Sequence, residues 1–109
     1  MIRSVARILI LEPYSDVRDL IAHVVEDSGH EPVLDDEGAT PVDALLLEPA
    51  SPALRPVARR VLSRRPRTTV LCVSIHPPST ASSSLGPAVH VLKPFSLGEL
   101  RQALADALG

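Results

Sequence analysis

Four short runs in this chain are almost wholly apolar, and each carries a polar residue at or near its end. Ala6 to Leu11 stops at Glu12, and Val42 to Leu47 stops at Glu48. Thr69 to Ile75 carries Ser74 near its end, and Val89 to Leu92 stops at Lys93. A strand with one wet face alternates apolar and polar residues, whereas a run without alternation belongs to a strand covered on both faces. Sheets covered on both faces are built by parallel strands with helical crossovers.

The segments between the runs supply those crossovers. Val17, Leu20, Ile21, Val24 and Val25 keep the i, i+3, i+4, i+7, i+8 spacing of an amphipathic helix. Ser15 is placed to cap this helix, with Asp16 and Asp19 in its first turn, and Gly29 is placed to stop it. Leu54, Val57, Ala58, Val61 and Leu62 repeat the helical spacing after Ser51-Pro52. Pro56 cannot occupy a regular helix interior, which sets the start of this helix near Arg55; Pro66 ends it. Ser96 and Glu99 form a capping box for a last helix over 97–108, with Leu97, Leu100, Leu104 and Leu108 on one face. Glu31 to Leu34 reads as a short further strand. Residues 35–41 read as loop, and 76–88 show no helical period.

These elements predict one α/β domain over residues 1–109, a doubly wound five-stranded parallel sheet. A chain of 109 residues is enough for one core and too short for two. With 2% aromatic residues, that core must be made of Leu, Val, Ile and Ala. In such sheets ligand chemistry collects at the carboxyl ends of the strands. Glu12, Glu48, Ser74 and Lys93 all fall there.

With Val91-Leu92-Lys93-Pro94-Phe95, the strands Ile8–Glu12, Asp43–Glu48 and Val70–Ser74 give the chain its resemblance to response-regulator receiver domains. The resemblance runs over nearly the whole length and implies the flavodoxin-like receiver fold. It implies that Lys93-Pro94 keeps the family geometry, including a cis peptide bond. It also implies a site of paired acids after the first strand, an acceptor aspartate after the third, a hydroxyl after the fourth and a lysine after the fifth. Mg²⁺ and phosphate would bind among them.

The departures from that pattern are specific. Glu12 stands at the first acid position, but Pro13 follows it and has no side-chain oxygen for a hard cation. Glu48 stands at the acceptor position, one methylene longer than aspartate. Ser74 and Lys93 are kept, and His90 occupies the aromatic switch position. The second helix has too few residues for full length, and the fourth is replaced by proline and serine, so both are expected to be truncated.

The reading that follows is a stand-alone pseudo-receiver in signal transduction, without enzymatic activity, acting through a protein partner. Glu48 replaces the phosphoacceptor and pairs permanently with Lys93. Mg²⁺ binding is weak or absent, and no other cofactor is expected. The alternative is a switchable regulator using another acid or a small ligand at the strand ends. Each site residue also has a plainer reading: Glu12 and Glu48 as solvated carboxylates, Ser74 as a local hydrogen-bonding group, His90 as a half-exposed strand residue. Because the last helix runs to the final residue, no output domain is expected, and output passes through association with another protein or a second copy.

Arg59, Arg60 and Arg64 belong to an arginine cluster, with Arg60 and Arg64 on one helix stripe, that reads either as a solvated helix face or as a contact for an acidic partner. A net charge of −2 and only two aromatic residues, Tyr14 and Phe95, argue against nucleic acid as a partner. His23, His30 and His76 lack a shared metal spacing, and the single cysteine, Cys72, excludes an internal disulfide. No apolar run approaches the ~18 residues of a membrane span, so a cytoplasmic location is expected.

Overall fold

A computed structural model describes residues 5–35, 41–74 and 88–108. Within them the chain order is β1 (Arg7–Leu11), α1 (Ser15–Asp27), β2 (Glu31–Val33), β3 (Ala44–Leu47), α2 (Arg55–Arg64), β4 (Thr69–Ser74), β5 (Ala88–Leu92) and α3 (Leu97–Leu108). The five strands form one sheet in the order β2-β1-β3-β4-β5, and every neighbouring pair is parallel. Ile10 lies opposite Leu46, and Leu46 opposite Leu71, so the three central strands share one apolar register.

Side-chain alternation then divides the core in two. On one face Ile8, Ile10, Leu46, Leu71, Val73 and Val91 pack with residues of α1 and α3. On the other face Leu9, Leu11, Leu45 and Leu47 pack with Ala58 and Val61 of α2. Both faces are filled by aliphatic side chains, as the scarcity of aromatics requires. The half-buried Phe95 packs at the margin of the first cluster.

Several helix ends differ from expectation in instructive ways. Ser15 is the first residue of α1 and makes no capping hydrogen bond; Tyr14 occupies the cap position. Ser51 does not cap α2 with its side chain either. Its carbonyl instead accepts from Leu54 and Arg55 N–H in a turn that precedes the helix. Pro56 therefore sits in the first turn of α2, where its missing N–H costs nothing. α1 stops at Gly29, whose φ of 88° is open to glycine. Gly29 N–H donates to the Glu26 carbonyl and His30 N–H to that of Val25, the two bonds of a Schellman stop. The capping box of α3 is formed: Glu99 N–H donates to Ser96 Oγ, and Ser96 N–H to Glu99 Oε1.

Leu20 and Leu97 are exposed, so the buried stripes of α1 and α3 are narrower than their spacing suggests. Between β2 and β3, residues 34–35 and 41–43 hold no helix, in line with a shortened second crossover. Residues 36–40 lie outside the described residues. So do 75–87, where the altered fourth helix was expected. The Lys93–Pro94 peptide is cis.

Candidate functional site

The sheet order reverses direction between β1 and β3. From β1 the chain crosses by α1 to β2, and from β3 it crosses on the opposite face by α2 to β4. The two connections part at the carboxyl ends of β1 and β3 and leave a crevice there. Glu12 follows β1 and Glu48 follows β3, so both carboxylates are delivered to that crevice. β4 brings Ser74 to the same edge, and β5 brings Lys93.

All four groups meet. Lys93 Nζ donates to both oxygens of Glu12, at 3.0 Å to Oε1 and 2.8 Å to Oε2. The same nitrogen lies 3.6 Å from Glu48 Oε2. Ser74 Oγ donates to Glu48 Oε1 at 2.9 Å. The Glu12 side chain is fully buried, that of Glu48 is 9% exposed and that of Lys93 13%. Neither carboxylate is solvated, and the plain reading of both is corrected by their position in the crevice. The expected Glu48–Lys93 contact is present, but the shorter and doubly hydrogen-bonded contact of the lysine is with Glu12.

Two carboxylates therefore face one ammonium in a poorly solvated place. Glu48 Oε2 is buried and has no hydrogen-bond partner, since 3.6 Å is too long for one. Glu48 and Lys93 are among the residues that line a cleft of about 430 Å³. Pro13, Tyr14 and Val17 form one wall, and Ala50, Ser51 and Pro52 the other. Sequence reading noted Pro13 only for the oxygen it lacks and assigned nothing to Tyr14. The signal was available at Pro13, which lies two residues past the end of β1 and so at the edge of the sheet.

The remaining candidates lie elsewhere. His90 is exposed on β5, opposite Cys72 in register. Its neighbours Val89 and Val91 turn to the α1/α3 side, so His90 faces the other way. Arg59, Arg60 and Arg64 are exposed on α2, and none lines the cleft. His30, given no role from sequence, accepts a hydrogen bond from Ala6 N–H at 3.0 Å on Nδ1, beside the start of β1. Among the described residues no group of three or more His, Cys, Asp or Glu side chains could hold a metal ion.

Cys72 reports on the site from within the sheet. Burial, and secondarily the Glu48 charge, push its thiol from an ordinary value of 9.0 up to about 11. The unfolded chain releases this proton near pH 9 and the folded chain near pH 11. Between the two the unfolded state holds fewer protons, so stability falls as pH rises through that window and is unaffected below it. Urea denaturation across this range should show a smaller alkaline loss for Cys72→Ala than for the parent; equal losses would remove Cys72 as a cause. Thiol reagents at neutral pH should reach Cys72 only after unfolding.

Neither a family model nor a curated relative matches the sequence. Solved structures do. The chemotaxis response regulator CheY4 of Vibrio cholerae superposes with a TM-score of 0.82 at 16% identity, over 95% of this chain and 99% of that one. A response regulator from Thermotoga maritima gives 0.77 at 15% identity, over 96% and 98%. The receiver domain of the sensor histidine kinase PA1611 from Pseudomonas aeruginosa, solved with a magnesium ion in its active-site cleft, gives 0.78 at 18% identity, over 97% and 99%. The chain has the receiver fold.

Proposed function

We propose that this receiver fold serves as a signalling module that binds a protein partner and is not switched by phosphorylation. One observation carries the reading: the residues at the phosphorylation positions are already engaged with one another. Glu48 holds the acceptor position and takes the Ser74 hydroxyl at 2.9 Å. Lys93, the group that would meet a phosphate, is hydrogen-bonded to both oxygens of Glu12. A phosphoryl group entering here would have to displace a carboxylate from each.

The residues also fit Mg²⁺ poorly. The ion needs near-octahedral oxygen ligands. Pro13 supplies none, and both Glu12 oxygens are engaged by an ammonium that a metal would have to expel. Weak or absent Mg²⁺ binding belongs to the same reading, as does the absence of enzymatic turnover. No helix among the described residues is long and apolar enough to cross a membrane, and the module is placed in the cytoplasm on this reading. Output passes by association with a protein partner or a second copy. The exposed arginine cluster of α2, Arg59 with Arg60 and Arg64, offers a contact for an acidic partner.

The test is direct. After incubation with acetyl phosphate and Mg²⁺, the intact mass should be unchanged. A Mg²⁺-dependent gain of one phosphoryl group, mapped to Glu48 or to a neighbouring acid, would overturn the proposal.

A further inference from the structure

The charges at the strand ends do not balance. Glu12 and Glu48 together carry two negative charges, and Lys93 carries one positive charge within 3.6 Å of both. The surplus resides on Glu48, because Lys93 spends its short hydrogen bonds on Glu12. Glu48 Oε2 is left buried, charged and without a donor. An acceptor of this kind costs free energy until something donates to it.

The cleft that Glu48 lines is suited to deliver a donor. Its volume of about 430 Å³ lies in the range of small-molecule sites. Its walls are largely apolar: Pro13, Val17, Ala50 and Pro52, with the exposed Tyr14 on the same wall as Pro13. Apolar walls over a single unsatisfied anionic acceptor select a ligand with an apolar body and a cationic, hydrogen-donating head. An anion is disfavoured at the same place, since Lys93 is already faced by two carboxylates.

We infer that the cleft between the β1–α1 and β3–α2 connections binds a small organic cation, with an ammonium or amidinium head donating to Glu48 Oε2 and an apolar body between the Pro13–Tyr14 and Ala50–Pro52 walls. The inference uses the site of the function proposed above but does not need phosphorylation to be absent. It adds a ligand to a module otherwise without one.

Benzamidine is the probe, titrated into the full chain and followed by amide chemical shifts. Benzamide (same shape, no charge), benzoate (opposite charge) and inorganic phosphate are the comparisons. Benzamidine should bind saturably, shifting Tyr14, Glu48, Ala50 and Ser51. Benzamide should bind about tenfold more weakly or worse, a difference of ~1.4 kcal/mol, and benzoate and phosphate should not compete. Glu48→Gln should reproduce the tenfold loss. Ala50→Trp, a change at an exposed wall position, should block the cleft while leaving the buried charges in place, and it keeps the test valid if Glu48→Gln fails to fold. Equal binding of benzamide, shifts mapping away from the cleft, or no saturable benzamidine binding would each overturn the inference. None of these would touch the proposed function, which fails only on phosphoryl transfer.

Discussion

Lys93→Met lowers the free energy of unfolding by about 3–5 kcal/mol at neutral pH, the cost of leaving a buried charge without its partner. Methionine keeps the length and most of the volume of the lysine stem, so lost packing contributes little. What is lost is the ammonium. Glu12 then keeps a fully buried carboxylate with neither of its two hydrogen bonds to the lysine, and Glu48 loses the cation 3.6 Å from it. For a domain of this size the loss is a large share of the total stability.

Urea denaturation at neutral pH reads the loss. Adding Glu12→Gln to Lys93→Met should restore part of the loss, since residues sharing one ionic contact are not additive. A loss under ~1 kcal/mol at neutral pH, typical of exposed ion pairs, would show that the site is solvated after all.

This cluster also marks the point where the sequence stopped being informative. The four strand ends were legible because strands covered on both faces are written as continuous apolar runs. Glu12, Glu48, Ser74 and Lys93 had only to be read off where those runs stop. Which carboxylate the lysine meets was not legible. Lys93 follows β5, the edge strand, and Glu12 follows β1, three positions away in the sheet. The contact depends on strand order and on the convergence of long side chains, and neither leaves a periodic trace. Burial of the carboxylates was hidden for a related reason: it arises from the crevice at the switch between β1 and β3, which no single segment encodes. At the helix ends, the α3 capping box was legible because both its partners lie three residues apart. Ser15 and Ser51 carried the right residue type, but capping also depends on where the preceding chain enters, and that is set by the strands.

The second large effect tests the aliphatic core that positions the site. Leu46 is fully buried on β3, the central strand, two residues before Glu48. Its register partners Ile10 and Leu71 flank it in the sheet, and it packs in the cluster shared with α1 and α3. Leu46→Ala should destabilise by about 3–5 kcal/mol, the lost transfer energy plus a cavity that does not collapse. Collapse is prevented on two sides by hydrogen-bonded strands, whose spacing of ~4.8 Å is fixed. A core with no tryptophan and no fully buried aromatic ring also has no large side chain that could swing into the gap. Denaturation followed by far-ultraviolet circular dichroism reads the loss. The half-buried Leu62 of α2 is the contrast: Leu62→Ala should cost clearly less, because its site opens toward solvent. Leu46→Met keeps nearly the same volume and should cost under ~1.5 kcal/mol. If Leu46→Met were as damaging as Leu46→Ala, shape at this position rather than volume would govern, and the cavity account of the central strand would be wrong.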